Sequence, residues 1–335
     1  MRDWLAAGQR VAFARVINRV GFSGDTEQEL LACNDQGEAS GDLLAGTVVD
    51  DTLAALRQAV TEAPRVAVLS AHVNDDRAVG AGLSCGGSAQ VMVQRADGVP
   101  PELWATLARQ RAVVLATGMD GRVADSGSMV VLAGQPALGS LGDPDADRAV
   151  QELADKFLAG GLASSEVLRT DAGAVLVEAF IPEPRVVVVG GGAVAEAIAA
   201  QAALLGWTSR VATDLAETET ALEWAGQAGA LVVLSHDVQL GPDALFAGLR
   251  SDAFFVGALG SRKTQANRAT RLARMGVDEA EMARIHGPVG LDLGGRSPAQ
   301  IALAICAEVL SVRTGREAAQ LRATEGSIRN RSTVR

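Results

Sequence analysis

The second half of the chain reads as short apolar runs set between stretches of helical spacing. Residues 186–189, 209–213, 230–234 and 253–256 are strand-like, while 194–205, 218–228 and 243–250 place apolar residues at helical intervals. Strands of near-continuous apolar character are buried on both faces, so their alternation with helices predicts a parallel sheet covered on both sides. Ser297 followed by Pro298 predicts a helix over 298–312, with the serine as cap and the proline in the first turn.

The first half is less regular and predicts a mixed α+β domain. Residues 11–20, 65–69, 89–93, 112–116, 129–132 and 174–180 are strand-like, and 48–60, 101–110 and 143–158 are helical in spacing. Their order in a sheet does not follow from the pattern. The segment Ile181-Pro182-Glu183-Pro184 cannot continue a strand or a helix and reads as a stiff connector. The expected organisation is therefore an α/β protein. Its N-terminal α+β domain is 1–181, a Rossmann-type doubly wound domain is 184–313, and 314–335 is a charged tail.

A length of 335 residues agrees with two domains. The net charge of −10 argues against general affinity for nucleic acid or an anionic membrane, since both require a positive field. Cys33, Cys85 and Cys306 are far apart and show no CxxC spacing, so neither a disulfide framework nor a structural zinc site is implied. With no signal-like start and no long apolar run, the expected location is cytoplasmic.

Candidate chemistry concentrates after the predicted strands. Gly190-x-Gly192-x-x-Ala195 follows a strand and opens a helix. There, Gly190 permits the tight turn, Gly192 lets a phosphate approach the backbone, and Ala195 lets helix and strand pack closely. With Gly191, they place free N–H groups before an anion. Asp214, 24 residues after Gly190, stands where an acid can hydrogen-bond a ribose hydroxyl. His236 follows the next strand. Ser261, Arg262 and Lys263 follow the one after, beside two glycines, as a phosphate or oxyanion cradle that Arg268 and Arg271 extend.

A glycine-dense loop, Ile285 to Arg296, holds His286, Asp292 and Arg296; Asp292 and Arg296 suit either a site or a structural ion pair. Leu83-Ser84-Cys85-Gly86-Gly87 suits either a reactive thiolate or a small buried thiol, with Cys33 and Cys306 read as core. Cys85 is the one metal-ligand candidate.

These strings together resemble the xanthine dehydrogenase accessory protein family, XdhC/CoxI. The resemblance runs through VVVVGGGAVAEA, LVVLSHD, FFVGALGSRKT and RIHGPVGLDLGGRSPAQIALAICAEVL, and in the first half through DDRAVGAGLSCGGSAQVMV. It implies a protein that binds the molybdenum cofactor (molybdopterin, or a nucleotide-extended form), protects it, supports its sulfuration and passes it to a molybdenum hydroxylase apoenzyme. A cysteine desulfurase is an implied further partner, and a homodimer the implied assembly. The chain departs from the family where a Gly-Ser-x-Pro-Arg segment is usual (Gly21-Phe22-Ser23-Gly24-Asp25 here). It departs again where a motif cysteine falls (Leu43 here), and Ala193 replaces a usual histidine. The resemblance thus implies a divergent member with one motif cysteine.

Three functions remain open on sequence. The first is a non-enzymatic chaperone for the molybdenum cofactor. The second is an NAD(P)-dependent oxidoreductase, with Asp214 on the ribose and His236 or Asp292 in proton transfer. The third is an interaction protein that kept the fold without the ligand.

Overall fold

The computed structural model describes residues 1–21, 29–62, 66–83, 85–124, 127–235 and 237–323. Arg65, Ser84, His236, the departure at Phe22–Asp25 and most of the charged tail lie outside the described residues. Contacts divide the chain into two units, 1–158 with 163–180, and 159–162 with 181–323. Among the described residues no helix is long and apolar enough to cross a membrane.

The first unit holds α1 (Arg2–Ala6), β1 (Val11–Val20), β2 (Leu30–Asn34), β3 (Ala39–Gly41), α2 (Val49–Thr61), β4 (Val66–Val73), α3 (Asp75–Gly80) and β5 (Gly87–Arg95). It continues with α4 (Glu102–Ala108), β6 (Val113–Gly118), β7 (Ser128–Val131), β8 (Leu138–Gly139), α5 (Pro144–Gly160), β9 (Ser164–Thr170) and β10 (Gly173–Phe180). These strands form two five-stranded antiparallel sheets, in the orders β3-β2-β1-β5-β4 and β8-β7-β6-β10-β9.

Alternation along β1 assigns its two faces. Ala12 and Ala14 join Leu31, Cys33, Val91 and Val93 under Leu56 and Val60 of α2. Val11 and Phe13 pack on Val113, Leu115 and Val130 of the other sheet. Leu43, where a motif cysteine was expected by family resemblance, is fully buried in the α2 cluster. That position is core here.

The second unit holds β11 (Arg185–Val189), α6 (Ala193–Leu204), β12 (Thr208–Ala212), α7 (Leu215–Ala225), β13 (Gly229–Val233) and α8 (Leu240–Arg250). After these come β14 (Phe255–Ala258), α9 (Arg262–Arg274), α10 (Glu279–Met282), β15 (Ile285–His286) and α11 (Pro298–Arg313). The sheet is parallel throughout, in the order β12-β11-β13-β14-β15. Val186 and Val188 face α6 and α11, and Val187 and Val189 face α7, α8 and α9. A strand buried on both sides needs apolar residues at every position, which is the pattern read from the sequence.

Several boundaries in this unit differ from expectation. α7 begins three residues earlier than the apolar spacing suggests, because Asp214 caps it and accepts from Glu217 N–H. The fourth strand is shifted to Phe255–Ala258, because Ser251 Oγ accepts from Ala253 N–H and holds the preceding segment in a turn. Arg262 and Lys263 of the expected cradle, with Arg268 and Arg271, lie on one helix, α9.

Candidate functional site

The strand order reverses direction between β11 and β13, the position at which parallel α/β sheets open a crevice beyond the carboxyl ends of their strands. Gly190 and Gly192 flank that point with φ of +106° and +94°, a region that L side chains rarely adopt. A Cβ on Gly190 would lie 3.0 Å from Ser235 N, so this glycine also lets the β11 and β13 loops close on each other. Nothing lies within 4 Å of where a Cβ would stand on Gly191 or Gly192. Gly192 is the N-cap of α6 and supplies no side chain, and the first helical bond runs from Glu196 N–H to Gly192 O at 3.1 Å. The earlier N–H groups therefore have no helical acceptor. Ala195 is buried against the sheet, as its place in the motif requires.

The other strand ends are more occupied than the sequence suggests. Asp214 is exposed, and one carboxylate oxygen accepts from Glu217 N–H at 2.8 Å, so the residue works as a helix cap. His236 lies outside the described residues. Its neighbour Asp237 accepts from Leu240 and Gln239 N–H, which hold its carboxyl below the usual range.

Ser261 caps α9, accepting from Thr264 N–H. Arg262 and Lys263 are exposed in the first turn of that helix, and neither makes an ion pair among the described residues. Arg268 and Arg271, further along the helix, are both engaged with backbone carbonyls. Arg268 is 7% exposed, and its guanidinium donates to Leu259 O at 2.6 Å and Ser235 O at 2.9 Å, tying the loops after β13 and β14. Arg271 donates to Val238 O and pairs with Asp243.

Asp292 and Arg296 are both exposed, and no ion pair joins them among the described residues; Arg296 N–H donates to Gln300. The ordered pair in this region is His286 with Glu308. His286 Nδ1 lies 2.9 Å from Glu308 Oε1, and its ring stacks on Phe255 at 4.5 Å between centroids. Gly290 N–H donates to the other carboxylate oxygen at 2.6 Å. Sequence reading missed Glu308, although it is the one acid in the apolar run from Pro298 to Arg313, which is a usable signal.

Cys85 belongs to the first unit. It is half-buried, and its Sγ donates to Gly21 O at 2.8 Å. Gly86 beside it is needed for close packing, since a Cβ there would lie 2.2 Å from Val73 O. Part of this motif is thus backbone packing. Among the described residues, no group of three or more His, Cys, Asp or Glu side chains is arranged to hold a metal ion. A lateral groove between α7 and α8 is lined by Leu222, Phe246, Met275 and the acids Glu219 and Glu223. It shares no residue with the strand ends, whose glycines and helix termini carry the recognisable chemistry.

Residues 186–309 match a family model described as the XdhC Rossmann domain. The molybdenum cofactor insertion chaperone PaoD of Escherichia coli K12 is 31% identical over 145 residues, covering 41% of this chain and 43% of that protein. YqeB of the same organism, described as uncharacterized, is 29% identical over 219 residues, 56% of this chain and 40% of its own length. This chain thus spans about two fifths of the length of these curated relatives. A solved structure described as a xanthine dehydrogenase from Bacillus halodurans has a TM-score of 0.50 at 17% identity, covering 95% of this chain and 96% of that one, a likeness of fold alone. The segment that matches the XdhC Rossmann domain model is the parallel-sheet unit, with its glycine turn at the switch point.

Proposed function

We propose that this chain binds the molybdenum cofactor as cargo, as molybdopterin or a nucleotide-extended form, and delivers it to a molybdenum hydroxylase apoenzyme. The carrying observation is the amino end of α6, which opens without a side-chain cap behind a Gly191–Gly192 turn with free space above it. An anion there meets aligned N–H groups and the positive end of the helix, worth about 0.3–1 kcal/mol when exposed and more when partly buried. The similarity to a molybdenum cofactor insertion chaperone supports this choice of anion.

The cargo's phosphate end fits the residues present. Its metal end finds no multi-ligand cage among the described residues, where Cys85 is the cysteine that is not buried. Such a set suits holding and passing rather than turnover. A homodimer and an exchange with a cysteine desulfurase accompany this reading.

Calorimetry with molybdopterin, and with NAD and ADP as controls, tests the proposal. Micromolar binding of molybdopterin, near about −8 kcal/mol, is expected. Tight NAD binding with hydride transfer would instead favour an oxidoreductase using Asp214. No binding of any of the three at about millimolar concentration would leave a ligand-free interaction protein.

A further inference from the structure

The lateral groove between α7 and α8 has a volume of about 720 Å³. Its apolar lining is Leu215 and Leu222 of α7, Phe246 and Ala247 of α8, and Met275 just past α9. Leu222 is buried, but Leu215 is 36% exposed and Phe246, Ala247 and Met275 are half-buried. Apolar surface therefore reaches solvent from both helices. The rim around it is negative. Glu219 and Glu223 stand one turn apart on α7, a like-charged spacing that disfavours a helix. Glu223 also falls in the last turn, where the helix dipole already places negative charge, and α7 carries no Lys or Arg to offset either acid. Asp243 opens α8 and Asp252 follows its end, so acids stand at both ends of that wall. Asp243 meets Arg271 at 3.7 Å, whereas Glu219, Glu223 and Asp252 have no ion pair among the described residues. Arg250, the cation in the lining, is paired with Glu281 and lies over the Phe246 ring.

We propose that this groove docks a basic amphipathic helix of a partner protein. The charge and shape of the groove select that occupant. Its walls are the sides of helices whose N–H and C=O groups are already paired, so an incoming segment finds no strand edge and must satisfy its own backbone. Each wall is an 11-residue helix, about 16 Å long, which matches three turns of a docked helix. Apolar residues of the partner, spaced three and four apart, fill the floor over Phe246 and Met275, where the methionine adapts to their shape. Lys or Arg residues flanking that stripe meet Glu219, Glu223 and Asp252. The groove shares no residue with the glycine turn, so this docking stands whether or not the turn holds an anion.

The probe is a fluorescent peptide of about 14 residues, four turns, with a leucine stripe at helical spacing and lysines on both flanks. A second peptide has serine for leucine and the same charge. Anisotropy titrations with the full chain should show binding of the leucine peptide and none of the serine peptide. Glu219→Gln with Glu223→Gln removes two exposed ion pairs and should weaken binding about five- to tenfold, with a flatter salt dependence. The same charge change in the first unit, Glu102→Gln with Glu152→Gln, should leave affinity within about twofold. Ala247→Gln lengthens a side chain in the floor at constant charge and should weaken binding about tenfold. Leu215→Gln, at a more exposed position, gives the same readout if Ala247→Gln fails to fold. Full binding in the Glu219→Gln, Glu223→Gln chain, or an equal loss in the first-unit pair, overturns the acidic rim. Full binding by the floor variants, or binding of the serine peptide, leaves only general attraction to a chain of charge −10 and overturns the groove. A wild type that binds neither peptide overturns the proposal. Sedimentation velocity adds the last arm: a wild-type dimer that Ala247→Gln makes monomeric puts a second copy in the groove and overturns the partner helix.

Discussion

Arg15 Nε and Glu178 Oε2 lie 2.5 Å apart between the two sheets of the first unit, with side chains 4% and 9% exposed. The pair joins β1 to β10. Arg15 also donates to Gln94 Oε1 and Thr117 Oγ1, while its Nη1 has no partner among the described residues. Burial pushes the Glu178 carboxyl up, and Arg15 pulls it back only in part. Removing one member of such a pair leaves a buried charge uncompensated. Arg15→Met should therefore cost about 3–5 kcal/mol. Arg15→Met with Glu178→Leu should recover most of that, because Gln94 still bonds Thr117 and Ser128. Urea unfolding of the two variants checks this. A double variant as unstable as the single would mean that the pair contributes net stability.

Glu308 supplies a pH dependence. Burial raises its carboxyl pKa, but the His286 contact and Gly290 N–H outweigh this, and the net shift is downward from 4.5. A carboxyl with a depressed folded pKa contributes stability that is present above its unfolded pKa. That stability is lost as pH falls through the lower folded value. Wild-type stability should thus fall on acidification below about pH 4.5, and Glu308→Gln should fall less steeply. At pH 7 the variant should be less stable by about 1.5–3 kcal/mol. Urea midpoints between pH 3 and 7 provide the measurement, and parallel curves would refute the assignment.

The thiols should separate by reactivity. Cys33 and Cys306 are buried, and burial pushes both pKa values up, that of Cys306 to about 11. At pH 8 Cys306 is then thiolate in only about one molecule in a thousand. Cys85 is half-buried in a bend two residues before β5 begins. Iodoacetamide on native protein should label Cys85 first and reach the others only after unfolding. Earlier labelling of Cys33 or Cys306, read by peptide mass, would count against this picture of the core.

The parallel-sheet unit was legible because its strands are buried on both faces, so Val186–Val189 and its counterparts stand out as apolar runs. The antiparallel unit was less so. β9 (Ser164–Thr170) has no buried residue and no apolar alternation, and strand order there depends on pairings that no local pattern encodes. α9 was hidden by its polarity: Arg268 and Leu272 are its buried residues, and a buried arginine looks the same in sequence as a solvated one. Asp214 shows the reverse problem. An acid at a strand end reads equally as a ribose ligand and as a helix cap, and only the 2.8 Å contact with Glu217 N–H reveals the cap.

The three glycines of the turn should respond differently to the same side chain, which separates ligand approach from folding. Valine at position 190 meets both obstacles. The backbone stands at φ +106°, and the new Cβ would approach Ser235 N at 3.0 Å, with little room for backbone to yield. Gly190→Val should be destabilised by more than the roughly 1–2 kcal/mol of a left-handed residue. Gly192→Val faces open space at φ +94°, so only the conformational cost applies, about 1–2 kcal/mol. Gly191 has neither a positive φ nor a neighbour within 4 Å, and Gly191→Val should fold with near wild-type stability. Its side chain nevertheless intrudes on the space an anion must enter to reach the amino end of α6. Stability should rank Gly190→Val below Gly192→Val below Gly191→Val, while phosphate binding at the turn is weakened in all three. Urea midpoints and phosphate titrations on the same preparations test this. Full binding by Gly191→Val, at unchanged stability, would mean that no ligand uses the turn.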